Sequence, residues 1–339
     1  MPRSFVFSLV TLSPIVLIAA ASVWGSWWCV AALIYMTGLT FSLDTWSAEW
    51  TDDARDASKA WSKRLLVVLG VLHFPLLALV VWALGSARLD VTEWTLLFLA
   101  AGQFFGQVSN SNAHELIHSA SRHLFGLGKW IYITLLFGHH TSAHRLIHHR
   151  YVGTPDDPNT SRMDESFYSY FTRAWKDSFT RGLAAENARM VSGNKARTSH
   201  PYLTYCLGGA AAVAIAFFIA GPWGVVAHLA LSIYAQAQLL LSDYVQHYGL
   251  YRNRLPDGRY EPVAAHHSWN SPHWFSSTLL LNAPRHSDHH AHPSRRFDQL
   301  EICEDSPMLP RSLPAMATIA LIPSIWFRIM NPRVRAWID

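Results

Sequence analysis

The chain has 339 residues, of which 50% are hydrophobic and only 15% are charged. An ordinary soluble domain carries about 25% charged residues, so the composition indicates a membrane protein. Three cysteines without short spacing exclude a disulfide framework, a CxxC redox pair and a cysteine-ligated zinc site. The most unusual number is 19 histidines, and the function is therefore sought among them.

Six apolar stretches have the length of about 20 residues that a membrane-spanning helix needs. They occupy residues 4–24, 27–46, 65–84, 91–108, 202–220 and 223–243. The first is too long for a signal-peptide core and no small-residue cleavage site follows it. Short connections group the six stretches into three hairpins. Two shorter segments, 130–137 and 316–330, are predicted to be half-buried or interfacial. We expect an all-α integral membrane protein with one domain over residues 1–339.

The 27 Lys and Arg residues predict the orientation of these spans. The three short hairpin loops hold only Arg88, whereas segments 47–64, 119–200 and 248–311 hold four, eleven and seven. Positive charge accumulates on the cytoplasmic side. Both termini and a helical cap formed by residues 109–200 and 244–311 are therefore predicted to be cytoplasmic. The net charge of +4 follows from topology and contact with anionic lipid, and it requires no nucleic acid.

Sixteen histidines fall in two clusters, eight within residues 114–149 and eight within 247–292. Both clusters lie on the predicted cytoplasmic side. His114 and His118, in an HExxH string, project from one face of a helix and can reach one metal ion. His144 and His148 repeat this spacing, and His149 lies about 100° around the helix, where it could serve a second ion.

A third group, His286, His289 and His290, again shares one helix side, and His247 follows the sixth span. Together the groups supply nine imidazoles, too many for one ion and suitable for two. Imidazole suits iron, copper and zinc alike, so the ligand type leaves the metal open. A soluble di-iron bundle would need Glu from several helices with Glu-x-x-His pairs, and that pattern is missing.

Other polar residues near the boxes are expected to support the ligands. Glu115, Asp157, Asp243 and Asp288 could accept Nδ1–H bonds and so fix imidazole tautomers. His266, His267 and His273 could orient a ligand in the same way. The remaining histidines of the two clusters are expected at the surface or behind the ligands: His123, His139, His140 and His292, together with His200.

Two functions of other classes compete. An intramembrane zinc protease would use the HExxH pair with Glu115 as general base, but it would leave seven of the nine histidines without a role. A metal transporter would bind its ion near the bilayer midplane, whereas these groups lie beyond the spans.

The ordered motifs resemble those of the integral-membrane alkane hydroxylases, a branch of the desaturase–hydroxylase superfamily of histidine-rich di-iron proteins. The motifs are HELIH (114–118), HRLIHH (144–149), DYVQHYGLYR (243–252) and LNAPRHSDHHAHP (281–293). The strings VGTPDDP (152–158) and HSWN (267–270) are also similar to that branch. The resemblance covers about residues 114–328.

The resemblance implies two non-haem iron ions, O₂ as co-substrate, and electrons from rubredoxin with its NADH-dependent reductase. It implies hydroxylation of the terminal methyl of n-alkanes in a bacterial inner or plasma membrane. It also implies nine metal ligands, which are His114, His118, His144, His148, His149, His247, His286, His289 and His290. A xylene-type monooxygenase and a fatty-acyl desaturase or hydroxylase of the same superfamily remain alternatives. Ser119, Ala143, Asp243 and Gln246 depart from the family pattern, which leaves substrate preference and donor pairing open.

Overall fold

The computed structural model describes residues 3–46, 58–194, 196–303 and 305–338. Within these ranges the fold is helical and contains no strand. Two isolated β-bridges occur, between Arg254 and Tyr260 and between Asn270 and Met308. Residues 47–57, which belong to the basic segment 47–64, lie outside the described residues.

The N-terminal third forms a hairpin and a long helix. Helices α1 (Arg3–Trp24) and α2 (Trp27–Ile34) meet at Gly25, whose φ of 62° lies in the left-handed region that glycine adopts without strain. A π-helical turn (Tyr35–Leu39) leads into α3 (Thr40–Trp46). Helix α4 (Lys59–Gly85) begins at Ser58, whose hydroxyl accepts the Trp61 N–H as an N-cap.

The next helices carry the first two histidine groups. A capping box starts α5 (Val91–Phe104), which continues through a π turn (Phe105–Ser109) into α6 (Asn110–Ile117). Helix α7 (Arg122–Thr134) packs against α4 and α6. The chain then forms α8 (His140–Ala143), a third π turn (His144–His148) and the short α9 (His149–Tyr151).

Helix α10 (Phe167–Ser192) precedes the longest element, α11 (Pro201–Gln246). A straight helix of 46 residues would be about 70 Å long, more than twice a hydrocarbon core of about 30 Å. The backbone of α11 is non-helical at Ala220 and Gly221, and Gly224 lies against the carbonyl of Ala216. The chain therefore reverses there, and the two arms correspond to the spans predicted at 202–220 and 223–243.

The C-terminal region combines irregular chain with short helices. These are α12 (Trp274–Leu279), α13 (His286–Ala291), α14 (Leu313–Ala320) and α15 (Pro323–Ile338), with 3₁₀ turns at Arg197–Ser199, Ala265–His267 and Phe297–Gln299. Helices α14 and α15 replace the single segment 316–330, and they bury Met316, Trp326 and Met330 completely.

Four helices among the described residues are long and apolar enough to cross a membrane: Arg3–Trp24, Trp27–Trp46, Lys59–Gly85 and Pro201–Gln246. The predicted span 91–108 is not among them; its residues form α5 and the π turn that follows it. One hydrophobic core runs from α1, α4 and α5 to α11 and the C-terminal helices. The chain is thus a helical membrane protein whose core continues beneath the histidine regions.

Candidate metal centre

The histidines of the four motifs converge from distant parts of the chain into two clusters. In each cluster one possible ligand atom per residue lies within 4.8 Å of all the others. Cluster A contains His114, His118, His144, His149 and His289, and cluster B contains His148, His247, His286 and His290. All nine histidines named from sequence are therefore present, five in one cluster and four in the other.

In each cluster one ring nitrogen lies within hydrogen-bonding distance of two other ring nitrogens, which is more partners than it can bond. In cluster A, His144 Nε2 lies 3.1 Å from His118 Nε2 and 2.9 Å from His149 Nε2. In cluster B, His286 Nε2 lies 2.9 Å from His247 Nε2 and 3.1 Å from His290 Nε2. A ring nitrogen carries either one hydrogen or one lone pair and cannot bond well to both neighbours. Two imidazoles about 2.1 Å from one ion, at right angles, would be about 3.0 Å apart, so the spacing fits a shared cation.

The π turn His144–His148 decides which histidines share a cluster. A π turn widens the helix to i→i+5 hydrogen bonding, and such turns occur often at functional sites. As a result His144 shares cluster A with His149, five residues on, while His148 enters cluster B. The expectation that His144 and His148 act together and that His149 serves the second ion is therefore wrong. The expectation assumed regular α-helical geometry, whereas this segment is a π turn.

The other two helical groups follow ordinary spacing. His114 and His118 in α6 stay together in cluster A, one turn apart. In α13, His286 and His290 share cluster B, whereas His289 between them enters cluster A. Residues 144–149 and helix α13 thus each supply ligands to both clusters, whereas α6 supplies only cluster A and the end of α11 supplies only cluster B.

Asp157 gives the clearest sign that the site is built for metal. Its carboxylate accepts the Nδ1–H of His148 at 2.9 Å, and the Thr160 hydroxyl and the Asn159 N–H donate to the same carboxylate. This bond fixes the tautomer that leaves the Nε2 lone pair of His148 free. That Nε2 is buried and has no hydrogen-bond partner, as a metal ligand would be before binding.

The protonation of the clusters suits metal binding. Burial lowers the pKa of His118 and of His286 to about 3, which keeps both rings neutral. His148 differs: although burial opposes its charge, Asp157 holds its pKa above the ordinary value.

Glu115 is a buried carboxyl group beside cluster A, and burial raises its pKa to about 8. One Glu115 oxygen accepts the Phe297 N–H at 3.1 Å, and the other lies 3.9 Å from His114 Nδ1.

Three other residues expected beside the ligands have different partners. Asp288 accepts hydrogen bonds from His292, Arg295 and the Glu301 N–H rather than from a ligand. Asp243 accepts the Asn159 side-chain amide at 2.6 Å. His267 donates to Glu261, and its Nδ1 accepts the Ala264 N–H. Glu261, His266 and His267 form a third group close enough to hold an ion, but both ring nitrogens of His267 are already bonded.

Sequence reasoning missed several supporting residues. Asn159 and Thr160 hold Asp157, and the Ser268 hydroxyl lies 3.4 Å from His247 Nδ1. Two strings in the sequence pointed to these residues: VGTPDDP directly precedes Asn159, and HSWN contains Ser268. His139 and His140 were expected at the surface or behind the ligands. They are not at the surface, because they are 5% and 2% exposed and pack against Phe137, and the His140 ring lies 5.1 Å from the His144 ring.

A cavity of about 80 Å³ reaches the two clusters from the helical core. Its walls include His114, His144, His286 and His289, together with residues of the π turn Phe105–Ser109, α11 and α14. Most of the surface it exposes is apolar. A small apolar group can therefore lie beside both clusters.

Fold and site together define a helical membrane protein with a paired, all-histidine site that can hold metal ions. A family model described as fatty acid desaturase matches residues 92–320. Alkane 1-monooxygenase 1 of Alcanivorax borkumensis is 33% identical over 327 residues, covering 93% of this chain and 79% of the relative. Alkane 1-monooxygenase of Pseudomonas putida is 35% identical over 283 residues, covering 81% and 69%. The xylene/toluene monooxygenase hydroxylase component of P. putida is 26% identical over 274 residues, covering 78% and 72%.

The chain therefore belongs to the alkane hydroxylase family, within the broader fatty acid desaturase family. This membership agrees with the resemblance inferred from the histidine motifs. It disfavours the zinc protease, as does the arrangement of the HExxH pair, which shares its cluster with three further histidines.

Proposed function

We propose that the protein is a membrane di-iron monooxygenase that hydroxylates the terminal methyl of n-alkanes to 1-alkanols. The observation that carries this proposal is the convergence of nine histidines into two adjacent clusters. Membership of the alkane hydroxylase family supports the substrate class. Two iron ions bound there would supply the redox chemistry that uses O₂ and two electrons to break an unactivated C–H bond.

In this proposal the histidines of cluster A hold one ion and those of cluster B hold the other. Asp157 orients His148 and raises its basicity as a ligand. Among the described residues no carboxylate belongs to either cluster, so in this proposal charge balance rests on groups behind the ligands, chiefly Asp157. Asp243 reaches this group through Asn159, which gives the unusual Asp243 a supporting role.

The apolar part of the cavity would receive the alkane end. Each CH₂ that leaves water for an apolar environment contributes about 0.8 kcal/mol, so long alkanes concentrate in the bilayer before they reach the protein. Leu239 of α11 and Leu313 and Ala317 of α14 line the same cavity as the histidines. These side chains would position the terminal methyl and exclude water.

We further propose six spans in one membrane domain over residues 1–339, with both termini and the histidine regions cytoplasmic in a bacterial inner membrane. The positive charge of segments 119–200 and 248–311 supports this orientation. It would also steer an acidic electron donor, which we propose to be a rubredoxin supplied by an NADH-dependent reductase.

An aromatic-methyl hydroxylase is the second candidate. The observation in its favour is the match to the xylene/toluene monooxygenase component, at 26% identity over 274 residues. Both reactions insert oxygen into a methyl C–H bond, so the histidine site alone does not separate them.

One experiment separates these functions. Membranes containing the chain are incubated with rubredoxin, its reductase, NADH and a series of n-alkanes, toluene and acyl substrates under ¹⁸O₂. We expect ¹⁸O-labelled 1-alkanols as the main product and two irons per chain by metal analysis. Labelled benzyl alcohol in excess would favour the second candidate. One zinc per chain, or unsaturated products without ¹⁸O, would contradict the proposal.

Variants of individual histidines test the ligand assignment within the same assay. His148→Ala and His289→Ala each remove one imidazole from a cluster and should abolish hydroxylation while lowering the iron content. His292→Ala is the matched control, because the side chain of His292 is 54% exposed and bonded to Asp288. It should retain most of the activity and the iron.

A further inference from the structure

A polar cavity of about 390 Å³ lies beside the first turn of α11, away from the cavity at the clusters. Its lining includes the cations of Lys129, Arg145 and Arg189 and the carboxylate of Glu186. Positive charges therefore exceed negative ones by two. The metal site accounts for none of these four side chains.

The carboxylate of Glu186 is already satisfied. It accepts the Ser142 hydroxyl at 2.6 Å and lies 3.3 Å from Arg189 Nη1. Because Ser142 spends its only hydrogen on Glu186, the Tyr205 hydroxyl, 2.8 Å away, must donate to Ser142. Glu186 and Arg189 thus balance each other, and the excess charge belongs to the other two cations.

Lys129 and Arg145 have no acidic partner within the part of the chain that the structure describes. The Arg145 guanidinium rests over the Phe125 ring at 5.0 Å, which restrains it at the cavity edge. Thr141 also lines the cavity. The residue is only 2% exposed, and its buried hydroxyl has no hydrogen-bond partner among the described residues. Two cations and one free hydroxyl form a donor set suited to phosphate oxygens.

The surroundings identify the source of that phosphate. The cavity includes Pro201, where a membrane-spanning helix begins. Trp130 of α7 is 43% exposed, and Leu203 and Leu207 of α11 are 46% and 69% exposed. These apolar surfaces suit acyl chains. Basic pockets between membrane helices on the cytoplasmic side bind anionic lipid headgroups.

We propose that the cavity lined by Lys129, Arg145 and Thr141 binds the phosphodiester headgroup of an anionic phospholipid, with the acyl chains on Trp130, Leu203 and Leu207. Ser142 and Arg145 flank His144 in sequence, so the bound lipid would brace the segment that carries ligands of both clusters. This proposal rests on the cytoplasmic orientation proposed above, but neither metal nor turnover enters it, so its failure is distinguishable from failure of the hydroxylase proposal.

Native mass spectrometry of the purified full-length chain tests the proposal through lipid titrations. Phosphatidylglycerol should bind about five-fold or more tighter than phosphatidylcholine of the same chain length, as expected for one Lys or Arg near the headgroup. Lys129→Gln should remove most of this preference, and Lys129→Arg should keep it. Lys176→Gln is the matched control, since Lys176 is an exposed lysine of α10 that does not line the cavity.

Thr141→Val gives a second test that keeps the side-chain shape and the charge, and it should weaken phosphatidylglycerol several-fold if the hydroxyl bonds the phosphate. Equal binding of both lipids by the native chain would overturn the proposal. So would displacement of phosphatidylglycerol by inorganic phosphate at equal concentration, which indicates a site for free phosphate. Lipid binding unaffected by Lys129→Gln, with weaker binding of the acidic electron donor, would assign the cavity to protein docking instead.

Discussion

Asp157 links a loop motif to the chemistry of the site at the scale of single residues. Its Oδ2 accepts hydrogen bonds from the His148 Nδ1–H and the Thr160 hydroxyl, and its Oδ1 accepts one from the Asn159 N–H. Asn159 in turn contacts Ser178 and Asp243. Asp157 of the VGTPDDP string, together with Asn159 and Thr160 that follow it, therefore forms a bonded support behind one ligand.

Asp157→Asn should weaken metal binding in cluster B by about 10–100-fold, the usual effect of changing a group behind a ligand. The amide still accepts the His148 N–H but supplies no negative charge, so the ligand becomes less basic. Iron retention during dialysis against a chelator measures the effect. Asp156→Asn is the matched control, because the Asp156 side chain is 62% exposed. Equal iron loss from both variants would contradict the role of Asp157.

At the scale of single residues, the sequence predicts which side chains lie near the ligands better than it predicts their hydrogen-bond partners. Asp157 and Asp288 looked equivalent, since each lies close to a histidine box. The structure places Asp157 against His148 but surrounds Asp288 with Arg295 and His292. Which donor reaches a carboxylate depends on loop paths that bring distant residues together, and hydropathy and spacing carry no information about those paths.

Among the elements, α5 and α11 pack unusually closely. Gly102 and Gly106 lie one turn apart, and a Cβ on either would overlap Tyr234 or Gln238 of α11. Small residues at this spacing let membrane helices approach closely. The contact holds the π turn after α5 against α11, next to the cavity that reaches the clusters.

Gly102→Ala should lower the thermal stability of the purified protein by several degrees, because an added methyl forces the Tyr234 ring to move and overpacking costs about 1–3 kcal/mol. Unfolding followed by tryptophan fluorescence measures it. Gly38→Ala is the control, since no atom lies within 4 Å of a Cβ built there, and it should leave stability unchanged or slightly raised. Identical melting of both variants would show that the close approach is unimportant.

Helices themselves were predictable, but their irregularities were not. Apolar length located α1, α4 and both arms of α11 because burial in lipid requires it. The π turns at Phe105–Ser109 and His144–His148 have no distinct composition. Tertiary packing stabilises them, so a sequence pattern based on regular helices assigned His148 and His149 to the wrong partners.

For the whole molecule, the testable property is the side of the membrane on which each loop lies. The proposed topology puts Ser86 outside and Asp257 in the cytoplasm. In a background with both exposed cysteines removed, Cys206→Ser and Cys303→Ser, Ser86→Cys should react with a membrane-impermeant maleimide in intact spheroplasts, and Asp257→Cys only in inverted vesicles. Both positions are exposed, so access depends on sidedness. The reverse labelling pattern would contradict the proposed orientation of the spans.

Two pairs of sequence neighbours join the clusters: His148 with His149, and His289 with His290. Their rings are 5.9 Å and 5.5 Å apart between centroids, and consecutive Cα atoms are fixed about 3.8 Å apart by the peptide bond. Covalent geometry thus limits how far the two clusters can move apart at two independent points. A shared carboxylate bridge is unnecessary for that spacing, and removing one ion should leave the opposite half in register and ready for reloading.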